Sequence, residues 1–158
     1  MRKLISFITI TVILLLGVSV TPGAASSPPL DVEIVAPTIF QNGGPSIGTF
    51  VATGPAVDNG LICPKGKTID VGAFASGWQS GQGVNYHVLK EFTCDDGTGT
   101  FVMKLEVRVD FRGDNANWMA YRGTGDYVKL HGTGKLIGIY FPDGSGVLDT
   151  YTGKVHSD

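Results

Sequence analysis

From Phe101 to Arg112 the chain alternates between apolar and polar positions. Phe101, Met103, Leu105, Val107, Val109 and Phe111 share one parity. Lys104, Glu106, Arg108, Asp110 and Arg112 share the other, broken only by Val102. Successive side chains of a strand point to opposite faces, so the pattern predicts a β-strand with one dry and one wet side. At about 3.3 Å per residue the strand is roughly 40 Å long. A slip of one residue would expose six large apolar groups, so its register is pinned. The fold class that follows is antiparallel all-β with a one-sided core.

Weaker patterns extend this reading along the chain. Asp31–Ala36 alternates and is a possible first strand, whereas Pro37–Ser46, with two Pro, two Gly and an Asn, reads as a loop. Ile47–Thr53 is a strand, Pro55–Gly60 a turn and Leu61–Cys63 a short strand. Thr68–Ser76 alternates with Ile69, Val71, Ala73 and Ala75 on one face. Gly77–Gly83 is a glycine-rich loop carrying Trp78. Val84–Cys94, Ala116–Gly123, Gly132–Phe141 and Val147–Val155 complete the set, with a single helical turn at Asp126–Leu130. About eight strands with short, evenly spaced turns predict a closed antiparallel barrel, with a β-sandwich as the alternative. Gly-Thr-Gly recurs at 97–99, 123–125 and 132–134 and reads as barrel corners.

One of these corners carries a resemblance. Gly123-Thr124-Gly125-Asp126-Tyr127-Val128-Lys129-Leu130-His131-Gly132 resembles the Gly-Thr/Ser-Gly-x-Phe/Tyr-x4-Gly segment of the allene oxide cyclase and dirigent barrels. The likeness extends over about Gly97–Leu136, where a long alternating strand, a tight hairpin and a second strand lead into the motif. It implies an eight-stranded antiparallel barrel with an apolar interior, often trimeric. It further implies binding of apolar or phenolic small molecules without a metal or redox cofactor. The catalytic residues of those families have no matching motif here. The N-terminal half and the Cys63–Cys94 pair depart from the shared pattern.

The chain's two ends and its charge narrow the setting. Met1-Arg2-Lys3, an uncharged apolar run over Leu4–Val20 and the small residues Gly23-Ala24-Ala25 describe a secretory signal peptide with cleavage after Ala25. Three parts are expected: 1–25 as signal, 26–45 as leader and loop with a possible first strand, and 46–158 as the barrel domain. The product would be secreted or periplasmic, with no stable membrane anchor after cleavage. Without Arg2 and Lys3 the balance turns further acidic, and no basic stripe exists, so nucleic acid is not an expected partner. The two cysteines, Cys63 and Cys94, are expected to form a disulfide in an oxidising compartment. No second thiol pair and no His spacing suits a metal, so none is expected.

The interior decides the chemistry. An eight-stranded barrel is either filled by side chains or holds one small ligand. In Val84–Cys94, Lys90 shares the apolar face of Val84, Tyr86, Val88 and Phe92, and in Val147–Val155, Asp149 shares a face with Tyr151. A buried Lys or Asp must be paired or neutralised. Either Lys90 and Asp149 pair inside the barrel, or each reaches solvent at a strand end. With His87 they are the candidate catalytic groups, His87 as a general base if it points inward. His131 reads as a surface residue and His156 as part of a loose end. Tyr86, Phe101, Met103, Leu105, Trp118, Tyr127 and Tyr151 are candidate walls, and Trp78 a candidate mouth residue. Arg112-Gly113-Asp114 falls at an expected hairpin tip, where Gly-Asp is ordinary turn chemistry. Three functions remain open at this point. The chain binds a small apolar or aromatic ligand, acts as a cofactor-free cyclase or dirigent-like enzyme, or is a filled barrel that works through its loops. It does so as a monomer or a homo-oligomer, a trimer by resemblance.

Overall fold

The computed structural model describes residues 27–76, 84–109 and 113–158. The expected signal peptide, Trp78 and its loop, and Asp110 to Arg112 lie outside the described residues. Eight strands follow one another: β1 (Leu30–Ile39), β2 (Ile47–Thr53), β3 (Lys65–Ser76), β4 (Val84–Cys94), β5 (Thr100–Val109), β6 (Gly113–Gly123), β7 (Leu130–Tyr140) and β8 (Gly146–Ser157). Each pairs antiparallel with the next, and β1 pairs with β8, so the sheet closes into a barrel without edges.

The β5 pattern does what alternation requires. Phe101, Met103, Leu105 and Val107 are buried, and Glu106 and Arg108 are exposed. Val102 is also buried, although it belongs to the outward parity. Two bulges reset the phase elsewhere. In β3 the register shifts between Asp70 and Gly72, and Asp70 pairs with Lys90 while Ala73 pairs with Val88. The extra residue Val71 is left on the outer surface. Ile69, Val71, Ala73 and Ala75 therefore do not share a face, because an inserted residue inverts the alternation past it. A second shift in the β5–β6 ladder, between Val102 and Met103, leaves Tyr121 outside.

The segment read as leader and loop is largely barrel. β1 pairs with β8 at every position from Leu30↔Val155 to Ile39↔Gly146, and so extends through Pro37. The β1–β2 ladder skips Ala36 and Pro37, where the missing N–H of proline would otherwise break it. Leu61–Cys63 forms no strand. After the one-turn helix α1 (Pro55–Asp58), the N–H groups of Leu61 and Ile62 donate back to the Ala56 carbonyl, and Cys63 bonds to Cys94.

One end of the barrel is closed. Ala56 and Ile62 are buried there, and the disulfide lies beside them. Phe92 and Phe101 stack with centroids 4.8 Å apart, and Phe50, Tyr127 and Tyr151 meet them edge-on. The next layer is Trp118, whose indole lies against Gly134 and Gly153. A Cβ on Gly153 would meet the ring at 2.4 Å. The third Gly-Thr-Gly is thus no corner: it lies inside β7, and its glycines leave room for an indole. The second does turn the chain, with Gly125 at φ 58° opening a 3-10 turn, Gly125–Tyr127.

Candidate functional site

Beyond the Trp118 layer the interior opens. The strand ends on this side enclose a cavity of about 330 Å³, within the range of small-molecule sites. Val88 from β4, Leu105 and Val107 from β5, and Leu136 from β7 form its aliphatic walls, and Tyr86 and Tyr140 add aromatic surface. Each comes from the inward parity of its strand, so the same alternation that builds the core builds the well.

The polar groups of the cavity centre on Lys90. Its Nζ donates to Thr38 Oγ1 at 2.9 Å and to Asp149 Oδ2 at 3.4 Å, and lies 3.3 Å from Asp70 Oδ1. Thr38 Oγ1 in turn donates to Asp149 Oδ2 at 3.2 Å. The side chains of Lys90 and Asp149 are 4% and 5% exposed, so this ion pair is inside the protein. The sequence alternatives are thereby resolved in favour of the internal pair. Register accounts for the meeting: Asp70 is the cross-strand partner of Lys90, and β1 joins β8 so that Thr38 stands next to Asp149. Gly138 lies between Asp149 and Asp114 on neighbouring strands, and a Cβ there would meet Asp149 Oδ1 at 2.8 Å. Asp114 accepts a hydrogen bond from the Tyr140 hydroxyl at 2.6 Å.

Among the described residues two carboxylates, Asp70 and Asp149, face the one ammonium of Lys90, and burial sharpens the effect. Removal from water raises the Asp149 carboxyl to about 6, while the charge and hydrogen bond of Lys90 pull it back and the charge of Asp114 pushes it up. Tyr151, two residues along the same face of β8, is fully buried, and its hydroxyl is driven well above its ordinary value by burial and by the charges of Asp149, Asp70 and Asp114. The Tyr151 hydroxyl, Thr68 Oγ1 and Asp70 Oδ1 are buried without a well-formed hydrogen bond. Among the described residues no three His, Cys, Asp or Glu side chains converge on a metal position.

Of the residues singled out from the sequence, Tyr86 and Leu105 line the cavity and Lys90 and Asp149 supply its charges. Met103, Phe101, Trp118, Tyr127 and Tyr151 do not line it. They fill the closed half, Trp118 with its Nε1 donating to the Lys135 and Thr152 carbonyls. His87 is not inside. It stands on the outer parity of β4, stacked on Phe74 at 4.6 Å, and so is no base for the cavity. His131 and His156 pair across β7 and β8, with His131 Nε2 3.0 Å from Asp158, so the C-terminal strand is built in rather than loose. Gly113 and Asp114 open β6 directly after the β5–β6 connection, with Asp114 paired to Val109 and lining the cavity. Thr38, Asp70, Asp114 and Tyr140 are among the cavity residues that sequence reading missed. Thr38 was hidden behind Pro37, Asp70 behind a bulge and Asp114 behind a turn-like Gly-Asp. No model of a known family matches the chain, and no curated protein is similar to it. The fold and this cavity therefore define it as a closed eight-stranded antiparallel barrel with a charged internal well.

Proposed function

We propose that the barrel binds a small molecule with an apolar or aromatic body in the well at its open end. The observation that carries this reading is the cavity itself: about 330 Å³, walled by Val88, Leu105, Val107 and Leu136, with polar groups converging on Lys90. A barrel working only through its loops has no need of such a space. Native mass spectrometry of the protein from its own host, repeated after denaturation, tests it. A mass excess that vanishes on denaturation supports a resident ligand and gives its mass. A bare mass, together with no binding of apolar probes, would sink the reading.

A second reading, a cofactor-free cyclase or isomerase, is favoured by Asp149, a carboxyl held near neutrality beside an ammonium. Its test uses the recovered ligand. Fresh protein in deuterated water should place deuterium on a ligand carbon, and Asp149→Asn should abolish this. Kinship with the allene oxide cyclase and dirigent barrels is proposed on the Gly123–Gly132 segment. Export is proposed on the basic start and the Leu4–Val20 run, and the Cys63–Cys94 bond is in keeping with an oxidising compartment.

A further inference from the structure

The polar floor of the well has a sign. Of the three N–H donors of Lys90, two are bonded to Thr38 Oγ1 and Asp149 Oδ2, and Asp70 Oδ1 lies 3.3 Å away as an ion-pair partner. An incoming anion would have to compete with both acids for Lys90. The carboxylates are in the opposite position. Each offers about four lone-pair sites, and Asp70 Oδ1 meets Lys90 as an ion pair without a well-formed hydrogen bond. Leaving aside Asp114, which is engaged by Tyr140, Asp70 and Asp149 still outnumber Lys90. The aromatic lining points the same way, because the faces of Tyr86 and Tyr140 attract cations.

We propose that the well recognises a protonated amine, a primary or secondary ammonium on an apolar body, with its charged end against Asp149 and Asp70. The body then lies between Leu105 and Val107 on one side and Leu136 on the other. This rests on the ligand-binding reading and narrows it to a chemical class. A carboxylate of the same shape would meet acids whose charge is not matched by Lys90 and would be rejected.

Three probes with one body decide it: 2-phenylethylamine, 2-phenylethanol and 3-phenylpropanoate, titrated calorimetrically into the full chain near neutral pH. The amine should bind about tenfold tighter than the alcohol, a difference of about 1.4 kcal/mol, and the carboxylate should bind weakest. Asp149→Asn should remove about tenfold from the amine and leave the alcohol within about twofold. If that variant fails to fold, titrating the wild type at lower pH replaces it. Asp149 is faced by Lys90, Asp70, Asp114, Tyr140, Tyr151 and Thr38, and burial holds it at about 6. The amine affinity should then fall about tenfold toward pH 5 while the alcohol is unchanged. An alcohol that matches the amine, or a carboxylate that equals it, overturns the ammonium assignment and leaves an apolar well. Failure of all three probes, with a bare native mass, overturns the ligand-binding reading as well.

Discussion

In the unfolded chain Asp149 ionises near 3.8, and in the barrel burial holds it at about 6. Between these values the native state carries a proton that the unfolded state has lost. Stability therefore falls as pH rises from about 4 to about 6, by an amount on the order of 3 kcal/mol. Asp96 and Asp143 act in the opposite sense and at lower pH, because hydrogen bonds from Thr98 and from Ser145 hold them below 3.8. The expected result is a melting temperature that declines across that window in wild type and is flat in Asp149→Asn, read by thermal denaturation at several pH values. Lys90→Met makes a complementary case. Near neutral pH it strands two carboxylates and should cost about 3–5 kcal/mol. Near pH 5, where Asp149 is mostly protonated, the loss should shrink, and an equal loss at both pH values would contradict the pairing. Lys90 and Asp149 were legible in the sequence, since each interrupts an otherwise apolar parity. Asp70 was not, because counting by twos fails across an inserted Val71.

Between neighbouring strands the decisive fit is one indole on two glycines. Trp118 from β6 lies over Gly134 of β7 and Gly153 of β8, with its Nε1 bonded to two carbonyls. Gly153→Ala would push a methyl group into both the ring and the Thr133 carbonyl. The expected destabilisation is about 1–3 kcal/mol, as for overpacked cores, and Trp118→Ala should cost about 3–5 kcal/mol by leaving a cavity. Urea unfolding measures both. In the Trp118→Ala background the cost of Gly153→Ala should fall but not vanish, because the clash with the Thr133 carbonyl remains. Strand existence was readable at this scale from alternation and turn residues. Strand limits were less so, as β1 shows: a proline in mid-strand looks like a stop in the sequence, and only closure by β8 carries the strand through it.

Across the whole molecule the two ends of the barrel differ. The disulfide ties the segment after α1 to the end of β4, four residues along that strand from Lys90. Replacing both cysteines by alanine should lower stability by about 3–4 kcal/mol, the loop-closure value for a span of 31 residues. Since the well lies at the other end, probe affinity should stay within about twofold when the double variant is folded. A parallel loss of affinity would mean that the closed end governs the shape of the well. Barrel closure was foreseeable from the even strand count and spacing. Which half would be filled was not, because Trp118 and Tyr86 look equally suited to either use until the glycines opposite Trp118 are placed.

A shaft stopped at one end has an order of arrival. Because Phe92, Phe101 and Trp118 block passage from the α1 side, a guest must descend from the rim past Tyr86 and Tyr140 and meet Lys90 and Asp149 last. Whatever part leads is inspected by the charges, and whatever trails is left near the rim. Such a site discriminates strictly among head groups and leniently among tails, so a series of guests lengthened only at the trailing end should bind with nearly constant affinity.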